Sequence, residues 1–110
     1  MAYAVVEGAR QAQKAGALDG FDSAEVLTIC SAFSEGYTSC NALTRDERSV
    51  LLLLIACRLS MSVTLGAYSF AQDPTNEYLL LYAKSGWHSL SLVRSLDADA
   101  FDSAITPAVD

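Results

Sequence analysis

Basic residues are scarce in this sequence: seven Lys and Arg stand against thirteen Asp and Glu, for a net charge of -6. With no basic patch to release counterions, neither nucleic acid nor an anionic membrane is an expected partner. Histidine occurs once, at His88, and Cys30, Cys40 and Cys57 form neither a CxxC pair nor a Cys/His cluster. No metal site is expected from such a set. An odd number of cysteines without a secretion signal favours reduced thiols and a cytoplasmic location. Met1 to Glu7 has no basic n-region and only a short apolar run, so no signal peptide is expected there. Val50 to Cys57 is too short to span a membrane, and lengthening it brings in Arg58, Ser60, Ser62 and Thr64. A glycine-rich phosphate loop and a GxSxG elbow are both missing, as are repeats and low-complexity tracts.

Apolar residues are plentiful, at 52%. A chain of 110 residues buries only about two-thirds of the surface its unfolded form exposes. Part of this apolar content is therefore expected to face a neighbour outside the chain. Residues 1–110 read as a single all-α subdomain of five or six helices around one long central helix.

That central helix is capped at Thr44, with Glu47 three residues on in the spacing of a capping box. Val50 to Cys57 is apolar on every side, which predicts a helix surrounded by protein. The pattern continues through Leu59, Met61, Val63, Leu65, Tyr68 and Phe70 until Pro74 stops it. A first helix runs from Met1 to Ala15, with Gly16 as terminator. Its apolar start has no cap, as if the preceding chain were absent. After a loop from Leu18 to Phe21, Asp22 caps a second helix. Val26, Leu27, Ile29, Cys30 and Phe33 are its expected buried stripe, and Gly36 and Tyr37 end it. Asn76 to Lys84 is expected to resume the central helix. Ser85-Gly86 interrupts, and Trp87 to Leu96 follows, with Trp87 and Leu90 at core spacing. Asp97 caps a last helix carrying Phe101 and Ile105.

Arg58, Ser62, Gly66 and Ser69 lie along one line of the central helix. Small residues below an arginine make a groove that a ligand or another chain can approach. One role for Arg58 is to hold a substrate carboxylate bidentately, with Ser62 beside it. The alternative is an internal salt bridge to Glu7, Glu35 or a segment outside the chain. Trp87 and His88 are read as structural, because no nucleophile or orienting carboxylate is evident beside His88. No complete catalytic set is present.

Four runs in order carry a resemblance: Leu43-Thr-Arg-Asp-Glu47, Arg58-Leu-Ser-Met-Ser-Val63, Pro74-Thr-Asn-Glu-Tyr-Leu79 and Trp87-His-Ser-Leu90, preceded by Gly36-Tyr37. Together they resemble the C-terminal helical end of the aminoglycoside-phosphotransferase-like small-molecule kinases, nearest the hydroxylysine kinase branch. The resemblance implies a protein-kinase-like fold. It also implies phosphoryl transfer from GTP or ATP, with Mg2+, to the hydroxyl of a small amino acid or amino alcohol. The N-terminal kinase region with its lysine, aspartate base and magnesium motif has no counterpart here. A chain without those groups is expected to be inactive alone. The rival expectation is a non-enzymatic helical interaction module, binding a partner protein or a second copy of itself.

Overall fold

The computed structural model describes residues 1–76 and 83–106. The described residues hold five α-helices and a short 3-10 turn joined by links, and none of them is in a strand. In chain order they are α1 (Ala2–Lys14), the 3-10 turn (Leu18–Gly20), α2 (Ser23–Thr38), α3 (Arg45–Gln72), α4 (Ala83–Ser95) and α5 (Ala98–Ile105).

The helix boundaries follow from local chemistry. Thr44 Oγ1 accepts from the Glu47 amide at 3.1 Å, and Glu47 Oε1 accepts from the Thr44 amide at 3.1 Å. This reciprocal pair satisfies two donors that the first turn of α3 would otherwise leave open. Asp22 and Asp97 cap α2 and α5 one way only, their side chains accepting from the Glu25 and Ala100 amides at 3.2 and 3.0 Å. Gly16 follows α1 with φ at +72°, a left-handed conformation that glycine adopts without a Cβ penalty. Asp73 and Pro74 stop α3.

The core is built from Val5 and Ala9 of α1, Val26 and Cys30 of α2, Ile55, Leu59 and Val63 of α3, Leu90 and Val93 of α4, and Phe101 and Ile105 of α5. Leu18 and Phe21 plug it beside the 3-10 turn. α3 packs chiefly on α4, α1 on α4, and α2 on α5. Small residues permit the α3–α4 approach. Ser85, Gly86 and Ser89 are buried on α4, and a Cβ on Gly86 would stand 3.0 Å from Val63 Cγ1. One polar pin ties α2 to α5, with Ser34 Oγ donating to the Ile105 carbonyl at 2.7 Å, while Arg48 Nη1 donates at 3.0 Å to the Leu43 carbonyl in the link before its own helix.

Several expectations are corrected. Ser85-Gly86 does not interrupt a helix, because both lie inside α4 on its buried side. Asn76 to Lys84 falls largely on 77–82, outside the described residues, and Ala83 and Lys84 belong to α4. Trp87 is not a core residue but 54% exposed, since Gly86 and Leu90 occupy the inward face on either side of it. Phe33 and Cys57 also point outward.

The central helix is not surrounded by protein. Ile55, Leu59 and Val63 are buried, while Val50, Leu53, Leu54, Met61, Leu65 and Tyr68 are exposed. Beyond Val63 no residue of α3 is fully buried, and the molecule is drawn out to 54 × 27 × 25 Å. Its radius of gyration is 15.0 Å, against about 13 Å for a compact domain of this length. By length and composition alone α3 could cross a membrane. It nonetheless carries Arg58 near mid-length, and its Ile55–Leu59–Val63 face is packed on protein.

Candidate substrate-binding site

α3 places Arg58 and Ser62 one turn apart, on the side facing the first turns of α1. With Ala2, Tyr3, Val6 and Leu59 they line a depression of about 180 Å³. Val5 and Ala9 fix α1 in the core, which turns Tyr3 and Val6 toward the Arg58 edge. Leu59 closes the floor at 1% exposure. The walls are thus a guanidinium, an aliphatic hydroxyl and a phenol over an apolar base. Such a lining suits a small molecule with a carboxylate at one end and methylene groups behind it.

Arg58 is exposed, and it makes no ion pair among the described residues. The internal partners considered for it are placed elsewhere. Glu7 turns along its own helix to Arg10, whose Nη2 and Nε donate to it at 2.6 and 3.1 Å, and to Gln11 Nε2 at 3.0 Å. The Arg10 and Gln11 hydrogen bonds hold the Glu7 carboxyl down to about 2. Glu35 belongs to a separate cleft between α2 and α5, lined also by Ser31, Thr38 and Ser103. An exposed guanidinium pays no burial penalty, so Arg58 is open to an external anion.

His88 Nε2 lies 2.7 Å from the Phe21 carbonyl, and the Phe21 ring stands 6.3 Å from the imidazole, centroid to centroid. That nitrogen serves as a donor to the backbone, because the carbonyl oxygen can only accept. Cys30 is buried, and desolvation pushes its thiol up to about 11. It is a packing residue, not a nucleophile. Among the described residues no three His, Cys, Asp or Glu side chains converge as metal ligands.

Two features were not anticipated from the sequence. One is the α2–α5 cleft, whose hydroxyls come from residues roughly seventy apart in the chain, as the Ser34–Ile105 bond shows. No local pattern signals such a pairing. The other is an apolar groove of about 740 Å³ between α3 and α4, lined by Leu52, Leu53, Cys57, Met61, Val93 and Arg94. Its signal was available: Leu53, Cys57 and Met61 recur every four residues on the side opposite Leu59 and Val63.

Similarity to known proteins bears on what this site belongs to. The chain is 35% identical to hydroxylysine kinase of Xenopus laevis over 68 residues, which is 61% of the chain and 18% of that protein. It is 45% identical to hydroxylysine kinase of Mus musculus over 70 residues, 63% of the chain and 19% of that protein. The Bos taurus hydroxylysine kinase is 45% identical over 56 residues, 50% of the chain and 15% of that protein. The chain resembles hydroxylysine kinases. It spans less than a fifth of the length of these relatives. No family model matches the chain, and no solved structure matches it.

Proposed function

We propose that this chain is the C-terminal helical part of a hydroxylysine-kinase-like phosphotransferase with a protein-kinase-like fold. The complete enzyme would transfer a phosphoryl group from GTP or ATP to the hydroxyl of a small amino acid or amino alcohol in the cytoplasm. The observation that carries the reading is the 35–45% identity to three hydroxylysine kinases. The Arg58–Ser62 depression supports it. A guanidinium over an apolar floor is the lining a hydroxylated amino acid needs for its carboxylate and side-chain methylenes.

The described residues offer neither a glycine-rich loop nor a convergent carboxylate set, so they do not fit Mg2+ and a nucleoside triphosphate. Those groups belong to the N-terminal kinase region in this reading. The role left to the present chain is to orient the acceptor by its carboxylate.

The test is Mg2+-dependent phosphate transfer from GTP and ATP to 5-hydroxylysine. It compares the chain alone with a hybrid in which the chain replaces the matched segment of the mouse enzyme. Transfer by the hybrid only is expected, with Arg58→Ala raising KM for the acceptor more than it lowers kcat. An inactive hybrid that folds cooperatively would sink the reading. It would favour the non-enzymatic interaction module, for which the exposed apolar face of α3 is the supporting observation.

A further inference from the structure

The exposed side of α3 is a single apolar stripe. Val50, Leu54, Met61, Leu65 and Tyr68 follow one another around the same side of the helix at 46, 55, 53, 56 and 65% exposure. From Val50 to Tyr68 the stripe is about 27 Å long, at 1.5 Å per residue. A continuous apolar ridge of this kind on a small soluble domain marks an interface. Depressions flank it on both sides. The α3–α4 groove shares Leu53, Cys57 and Met61 with one edge, and the Arg58–Ser62 depression shares Arg58 with the other. Tyr3, 71% exposed, stands beside the second depression.

The length of the relatives indicates what covers the stripe. More than four-fifths of each matched hydroxylysine kinase lies outside the aligned segment. We propose that the α3 stripe is the docking face for that remaining part of a hydroxylysine-kinase-like polypeptide, and that the docked part supplies the missing wall of the Arg58–Ser62 depression. This inference rests on the kinase reading. It adds the face, the residues and the reason the acceptor site is open in the isolated chain: Arg58 and Ser62 are exposed because one side of their pocket belongs to the covering segment. Covering would also remove water from around Arg58 and strengthen its hold on a carboxylate.

Cys57 provides the readout. It is exposed and lies between Leu53 and Met61 at the edge of the stripe, whereas Cys40 is exposed in the link between α2 and α3 and serves as an internal control. Maleimide labelling of each cysteine is followed by peptide mass spectrometry, in the isolated chain and in the mouse-enzyme hybrid. Docking slows Cys57 labelling by about tenfold or more, because a covered side chain meets the reagent only when the interface opens, and leaves Cys40 unchanged. Leu65→Asp in the hybrid restores Cys57 labelling, while the same variant of the isolated chain melts with its parent.

A hybrid that transfers phosphate yet labels at Cys57 as fast as the isolated chain overturns the docking face and spares the kinase reading. An inactive hybrid with Cys57 protected does the reverse. Protection that appears in the isolated chain and grows with its concentration assigns the stripe to a second copy and overturns the proposal. So does protection of the isolated chain by phosphatidylcholine vesicles, which would assign it to a membrane.

Discussion

His88 Nε2 and the Phe21 carbonyl oxygen are 2.7 Å apart, although 67 residues separate them in the chain. The bond fastens α4 to the 3-10 turn, on the side of the bundle where Phe21 is buried. Because the carbonyl can only accept, the proton sits on Nε2. His88→Ala should lower stability by about 1–2 kcal/mol, the cost of leaving a half-buried carbonyl unpaired. Thermal melts of the two proteins check this. A catalytic His88 would instead show normal melting and lost transfer in the hybrid.

Burial of Cys30 makes stability fall at alkaline pH. The folded state holds the thiol proton up to about 11, against the ordinary value of 9.0. Its contribution is therefore full below pH 9 and is lost as pH rises toward 11. The loss amounts to about 2–3 kcal/mol, at 1.4 kcal/mol per unit. Urea titrations across that window should show the decline, and Cys30→Ala should flatten it.

Two glycines in helices should respond oppositely to an added side chain. Gly36 in α2 has open space where a Cβ would stand. Gly36→Ala should stabilise by about 0.5–1 kcal/mol, through helix propensity and a less flexible unfolded chain. At Gly86 the added Cβ meets Val63 Cγ1 at 3.0 Å, and the stiff, buried valine has little room to give. Gly86→Val should cost about 2 kcal/mol by overpacking. Chemical denaturation of both variants tests the contrast.

Ser89 Oγ is buried without a hydrogen-bond partner among the described residues. Ser89→Ala should therefore raise stability by about 1 kcal/mol, removing an unsatisfied hydroxyl and adding helix propensity. A lower melting temperature would mean that the hydroxyl has a partner.

On α3, Leu59→Ala should cost about 3 kcal/mol, as expected for a fully buried leucine. Leu54→Ala, at an exposed position of the same helix, should stay within about 0.5 kcal/mol. Equal effects would contradict the division of α3 into a packed and an open side.

The sequence made the caps legible, since Thr44–Glu47, Asp22–Glu25 and the Gly16 stop each depend on residues a few positions apart. It also put Val26 and Cys30 of α2, Leu90 of α4, and Phe101 and Ile105 of α5 inward, where they are, but misjudged how much of α3 is covered. An apolar run such as Val50–Cys57 looks the same whether both its sides are covered or only one is, so the open stripe could not be assigned from the pattern. Ser85-Gly86 misled for a related reason: small residues that break a helix in isolation are what a close helix crossing requires. The candidate site was half legible. The four-residue step from Arg58 to Ser62 placed both on one line, but Tyr3 and Val6 of α1 come to them only through the tertiary fold.

The Thr44 capping box also works as the zero mark of a screw. It fixes where winding begins, and fourteen residues further on the winding points Arg58 toward α1. One residue inserted between them would advance Arg58 by 1.5 Å but rotate it by about 100°. The Arg58–Ser62 depression is thus far more sensitive to the count of residues in α3 than to their identity on its open side.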